Sequence, residues 1–384
     1  MEWRFAQVGD VRLGAKLTNF DGDVASALRD SSRHALGDCF RIAQEEQAST
    51  VLIVGDLFVL KGLDPAGQLR FAYERMADFP GLEFIITPGN SDAFESTGPY
   101  SFVSPPSNVK LIHSSEWTTI DLPLVTVTGR ALCIGESTEL DISTLPTPDP
   151  SKPAVLIARG VVQSADDGIA RRNPVSIDVD GILNLGYSYV ALGGLYAQIE
   201  LRGEQGKAIA AYAGTPQSLT WGTRGPSGFL TGSLSKGGAE IKFHHTAHSH
   251  WKEYQVDLPL PYEESYTSKL RAALQAISSG VGTNDLVKLT LTGELHQTQR
   301  EELEQLLATA ADSAMYFETD SEALRYFSGL NPGDLPKDSL YAGFLQRCSA
   351  QAAQAGTDQE AYDLARRLSW LLFTGKGLPS EITE

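Results

Sequence analysis

Three short segments of this sequence put a carboxylate or an amide directly behind an apolar run. They are Gly9-Asp10-Val11-Arg12-Leu13-Gly14, Gly55-Asp56-Leu57-Phe58 and Pro88-Gly89-Asn90-Ser91-Asp92. Carboxylate and amide oxygens are the ligands of hard cations, and glycine lets backbone approach a ligand closely. A single Gly-Asp or Gly-Asn pair is a common turn former; three of them behind successive apolar runs favour one shared site. A second group, His244, His245, His248 and His250, has spacings that could hold a transition metal. No carboxylate or cysteine follows it before Glu253, so a solvated strand or loop is the expectation. Ser31, Ser32 and His34 resemble a hydrolytic triad in composition only, because they fall in the middle of a helical pattern.

For the three segments to converge, they must share one edge of a sheet. The pattern provides this: strands are expected at 3–8, 51–55 and 84–88, alternating with helices at 24–48 and 65–79. That alternation is the mark of an α/β sheet, whose ligands sit beyond the carboxyl ends of the strands. Asp64 followed by Pro65 is a strong start for the second helix. Further strands are expected at 109–113, 119–128, 131–135, 154–159, 189–192, 208–213 and 229–234, with a proline-rich loop at 137–153. Past Leu258, Leu270, Leu274 and Ile277 share a helical face, 286–291 and 315–318 read as strands, and Thr298 with Glu301 forms a capping box. A second capping box, Thr357 and Glu360, opens a helix with Leu364, Leu368, Leu371 and Leu372 on one side and Gly375 at its end. The expected domains are 1–257, 258–330 and a helical tail, 331–384.

The spacing of the three segments resembles the calcineurin-like metallophosphoesterase superfamily. Its pattern is Asp-x-His, Gly-Asp, Gly-Asn-His-Asp, His-Gly and Gly-His-x-His. More narrowly, the chain is similar to the nuclease subunit of the bacterial double-strand-break repair exonuclease complex. That likeness rests on residues 5–14 and 54–58, on Tyr212-Ala213-Gly214-Thr215-Pro216-Gln217, and on Gly225-Pro226-Ser227-Gly228-Phe229, and it covers about residues 1–255. The resemblance implies a metallophosphoesterase-type α/β sandwich, two packed mixed sheets flanked by helices, followed by a small α/β cap domain and a helical C-terminal tail. In the family two metal ions cleave phosphodiesters, the nuclease forms a homodimer, and C-terminal helices grip the coiled coil of an ABC-type ATPase.

The departures from this pattern concern chemistry. Asp10, Asp56, Asn90 and Asp92 are kept. Arg12, Ser91, Arg159, Gly194 and Tyr196 stand where the resemblance calls for histidine. Imidazole is the nitrogen donor suited to Mn, Fe or Zn, and a guanidinium cannot deprotonate to replace it. The expectation is therefore a vestigial site with no catalytic residue and no cofactor, in a pseudoenzyme that binds or scaffolds, with DNA involved only indirectly. Arg12 and Arg159 are expected to pair with Asp10 and Asp56 in place of the ions. The alternative is an active phosphodiesterase or DNA exonuclease holding Mg²⁺ or Mn²⁺ on Asp10, Asp56 and Asn90.

Composition sets the outer limits. The 384 residues carry 31 Lys and Arg against 48 Asp and Glu, a net charge of −17 that opposes attraction to a polyanion. No apolar run approaches the roughly 20 residues of a spanning helix, and no leader is visible, so the expected location is the cytoplasm, away from any membrane. Cys39, Cys133 and Cys348 match no metal spacing and are expected as reduced thiols in cores.

Overall fold

The computed structural model describes residues 2–135, 141–162, 176–223, 225–235, 238–258, 266–297, 300–327 and 339–352, with 365, 368, 369 and 372. The chain divides into two compact units, Met1–His250 and Trp251–Glu384. The first unit opens with β1 (Trp3–Val8), α1 (Gly22–Glu45), β2 (Thr50–Val54), α2 (Pro65–Ala77), β3 (Glu83–Thr87), α3 (Pro99–Phe102) and β4 (Val109–Leu111). These four strands are parallel neighbours. β2 is buried along its whole length, as a strand covered on both faces must be. Asp21 caps α1 by accepting from Val24 N, and Asp64 caps α2 by accepting from Gly67 N, with Pro65 in the first turn as the sequence indicates.

The chain continues through β5 (Thr118–Asp121), β6 (Thr126–Gly129), β7 (Ala154–Arg159), β8 (Val161–Val162), β9 (Ser176–Ile177), α4 (Val179–Asn184), β10 (Tyr189–Gly193), β11 (Ile199–Arg202), β12 (Ala208–Tyr212), β13 (Gly228–Ser235) and β14 (Gly238–His245). The order across the ladder is β4-β3-β2-β1-β13-β14-β12-β10-β7-β6-β5, with β11 beside β12. The two layers of the expected sandwich are thus one mixed sheet curled on itself, joined where β12 meets β14 at Ala208 and Ala239. Leu52, Val54 and Ile85 of one layer share a core with Val155, Ile157, Tyr189 and Ala191 of the other. Helices α1 and α2 cover the outer face of the first layer, through Leu36, Phe40, Leu69 and Met76. Ile182 of α4 packs against Leu156, Val190 and Tyr212 on the second. The architecture is the metallophosphoesterase-type α/β sandwich.

Local departures have simple causes. The single strand expected at 119–128 is a hairpin, β5 and β6, because Pro123 at its centre has no N–H to give a ladder. The strand expected at 131–135 is reduced to a bridge between Phe94 and Cys133. Cys39 is buried and Cys133 half-buried, both as free thiols.

The second unit contains β15 (His250–Asp257), α5 (Tyr266–Ser279), β16 (Asp285–His296), α6 (Arg300–Ala311), β17 (Tyr316–Asp320), β18 (Leu324–Phe327) and α7 (Leu340–Ala352). β16, α6 and β17 make a βαβ unit with parallel strands. Its core holds Leu274 and Ile277 of α5 with Leu289, Leu291 and Leu303, the residues whose spacing marked those faces. Thr298, Thr357, Glu360, Leu364, Leu371 and Gly375 lie outside the described residues. No described helix is long and apolar enough to cross a membrane.

One buried polar side chain ties the two layers together. Gln7 of β1 donates to Leu192 O at 3.1 Å and Ala211 O at 2.8 Å, and accepts from the Tyr189 hydroxyl at 2.8 Å. Gln7→Leu leaves these groups unpaired in a dry core and is expected to cost about 2–4 kcal/mol. A urea titration with an unchanged midpoint would contradict that role for Gln7.

Candidate functional site

The loops after β1, β2 and β3 are zipped by backbone bonds. Asp10 N donates to Gly55 O at 3.2 Å, and Arg12 N to Asp56 O at 2.8 Å. Asp10, Arg12 and Asp56 all have left-handed backbone, φ 53°, 56° and 57°. Side chains other than glycine adopt that region at a cost, and such strain clusters where function has placed residues. Asp92, fully buried, anchors the group: it accepts from Asp56 N, Leu57 N, Gly89 N and the Tyr100 hydroxyl at 2.7–2.9 Å. Ser91 N donates to Asp56 Oδ1 at 2.6 Å. From the opposite layer, Gly194 N donates to Asp10 Oδ2 at 3.2 Å, and the Thr215 hydroxyl donates to Asp10 O at 2.9 Å.

Into this frame comes Arg159, the last residue of β7, with its side chain 8% exposed. Its Nη2 lies 2.6 Å from Asp56 Oδ2 and 3.7 Å from Asp10 Oδ1, and its Nη1 donates to Val54 O at 3.1 Å. Two glycines make room for it. A Cβ on Gly55 or Gly89 would fall 2.5 or 2.8 Å from Nη1. The motif glycines that resemble a phosphoesterase signature thus have a local task in this chain, which is to admit a guanidinium.

Not every expected site residue joins the cluster. Arg12 makes no ion pair among the described residues: its Nη1 donates to the Tyr196 hydroxyl, and its guanidinium lies 5.5 Å from the centre of that ring. The expected Arg12 pair with a carboxylate is therefore absent, because Tyr196 draws the side chain toward its own ring. Asn90 is exposed to solvent, while Ser91 acts through its backbone N–H. Gly194 supplies an N–H where the resemblance has an imidazole. Sequence reasoning misses the Tyr100 hydroxyl, whose only trace there is an aromatic residue eight positions after Asp92.

Charge follows from this geometry. Burial raises the Asp10 carboxyl well above the usual carboxylate range, more than the Arg159 charge lowers it, and the neighbouring Asp56 raises it further. Burial also acts to raise Asp56, but the Arg159 charge, the Asp10 side chain and the Ser91 N–H outweigh it and hold Asp56 below the usual range. Within the pair, a proton therefore favours Asp10 over Asp56. Burial, then Asp56, pushes Asp92 up to about 6 against its four donors.

These residues do not fit a metal ion. Both Asp56 oxygens already hold donors, Asp10 holds one, Asn90 faces solvent, and a guanidinium lies within 4 Å of both carboxylates. Among the described residues no group of three His, Cys, Asp or Glu side chains could hold a metal. The histidines are dispersed likewise. His244 bonds Thr231 at 2.8 Å and stacks on Phe229, and His248 bonds Asp38 at 2.7 Å. Ser31 pairs with Ser249 and Ser32 with Val11 O, so neither forms a triad with His34.

No family model matches the sequence, and no curated protein matches it. Solved structures are among its matches. TT1561 of Thermus thermophilus is 11% identical with a TM-score of 0.39, over 64% of this chain and 100% of that one. A dimetal phosphatase from Danio rerio is 10% identical with a TM-score of 0.43, over 64% and 96%. The NAD nucleotidase of Haemophilus influenzae is 9% identical with a TM-score of 0.29, over 81% and 60%.

The protonation pattern has a testable sign. Asp10 and Asp92 bind protons more tightly folded than unfolded, so each loses stability as pH rises from about 4, the unfolded value, toward its folded value. For Asp92 that window closes at about 6, and for Asp10 it extends upward from the same start. Asp56 has the opposite sign: its contribution is present above about pH 4 and is lost as pH falls through its lowered folded value. Asp10→Asn mimics the neutral carboxyl and can still donate to Asp56. It is expected to melt at or above the native protein at pH 8, with a flatter decline between pH 5 and 8. A lower melting temperature at pH 8 would show that Asp10 is ionised.

Proposed function

We propose that this chain is a degenerate relative of the repair-exonuclease branch of the metallophosphoesterases, retained as a binding or scaffolding subunit. The observation that carries the reading is the Arg159 guanidinium, 2.6 Å from Asp56 and 3.7 Å from Asp10, beside the two carboxylates that the motif would give to ions. A two-metal site acidifies water and clamps the attacking and leaving oxygens. A guanidinium neutralises the carboxylates but has no open position for water. Ser91, in place of the motif's general acid, cannot protonate a leaving oxygen as an imidazolium would, an effect worth about 10²–10⁴-fold.

What such a protein keeps is the family's capacity for assembly. The partner proposed from the sequence resemblance is an ABC-type ATPase with a long coiled coil, in DNA metabolism, with the chain itself as a homodimer. The net charge of −17 supports contact with DNA through that partner over direct contact.

Elemental analysis of purified protein should find less than one Mn, Fe or Zn per chain, and Mn²⁺ should elicit no exonuclease or phosphodiesterase activity. Two metals per chain, with hydrolysis abolished by Asp56→Asn, would establish the enzyme reading instead. Arg159→Ala should cost about 3–5 kcal/mol, because it strands the ionised Asp56. If it is neutral in a thermal melt, the pair does not hold the loops. Affinity purification of the full chain from its own cells should bring down the coiled-coil ATPase, and its absence would remove that partner.

A further inference from the structure

At the pole of the sandwich opposite the carboxylate cluster, the space between the layers opens into a cleft of about 410 Å³. The first residues of β1, β2 and β3 and the turn between β5 and β6 surround it. That volume is within the range of small-molecule sites, which are mostly apolar with a few placed polar groups. The apolar wall is Trp3, Leu82, Leu122 and Leu124 with two prolines. Trp3 is fixed by stacking on Phe5 at 4.8 Å and by donating its indole N–H to the Thr50 hydroxyl at 3.1 Å.

The polar part of the wall has a definite sense. Its side-chain N–H donors are committed to the protein: that indole N–H, and Asn108 Nδ2, which donates to the carbonyls of Met76, Phe79 and Leu82 at 2.9–3.2 Å. This fixes the amide and leaves Asn108 Oδ1 as an acceptor with no protein donor among the described residues. Glu83 also lines the cleft; Lys110 holds its Oε1 at 2.6 Å and leaves Oε2 open. An apolar pocket edged by an amide oxygen and a carboxylate oxygen accepts hydrogen bonds and offers few. The net charge of −17 adds a field that favours cations.

We infer that this cleft binds a small organic cation, an aromatic or apolar ring bearing a protonated amine, with the ring against Trp3 and the ammonium at Glu83 and Asn108. Such a site lies apart from the degenerate centre and does not depend on the reading given to it.

The test uses 2-phenylethylamine, 2-phenylethanol and phenylacetate, which share a ring and differ in charge, titrated into the full chain by NMR. The amine is expected to bind at least about tenfold more tightly than phenylacetate, the scale of one charge-assisted hydrogen bond. Glu83→Gln should reduce amine binding to that of the alcohol. Gly81 lines the cleft, and a Cβ built on it meets nothing within 4 Å, so Gly81→Trp should fold and weaken amine binding at least about tenfold. Leu124→Trp is a second filling variant if the first melts early. No amine binding, equal binding of phenylacetate, or amine binding unchanged in a folded filled variant would overturn the inference.

Discussion

Two carboxylates at the ends of adjacent parallel strands need a positive charge between them, and the way this chain supplies it governs the rest of the site. Left alone in a low-dielectric setting, Asp10 and Asp56 would repel each other and each would be costly to ionise. One guanidinium offers one charge and a planar fork of donors. It can balance one carboxylate fully, so the second is left with a raised affinity for a proton. Arg159 holds Asp56 below the usual carboxylate range, burial and Asp56 leave Asp10 raised, and the carboxylates in turn raise Arg159.

The same interaction accounts for features that would otherwise be unrelated. Left-handed backbone at Asp10 and Asp56 is tolerable because hydrogen bonds from Gly194, Ser91 and Arg159 fix the side chains where that backbone puts them. Gly55 and Gly89 are needed for clearance around Nη1. Asp92 gathers three backbone N–H groups from the loops after β2 and β3, so those loops are also held to each other by hydrogen bonds.

The sequence shows what is local and periodic. The alternation of strand and helix, the cap Asp64 with Pro65 behind it, and the three loop segments can be read because each rests on neighbours within a few residues. The entry of Arg159 into the cluster is also legible, since it ends an apolar strand whose register brings it to that edge. The side chain of Arg12 is not, because its direction depends on Tyr196, 184 residues away. The Pro123 break is visible as a proline but masked by the long apolar run around it. Gln7 shows the converse case: one polar residue in an otherwise apolar strand marks a long-range bond whose partners no local pattern could name.

In a two-metal phosphoesterase the ions bridge loops from several strands, so metal and loop structure support each other. In this chain the corresponding loops are tied by its own side chains and backbone N–H groups. Arg159 joins the loops after β1 and β2 to β7, the Gly194 N–H joins β10 to Asp10, and Asp92 joins the loops after β2 and β3. Arg159 and the Gly194 N–H differ from imidazole in kind, being donors with no lone pair for a cation, and the Asp92 oxygens already accept from four protein groups. Loops tied in this way hold their shape through the chain's own groups, with both carboxylates turned toward Arg159.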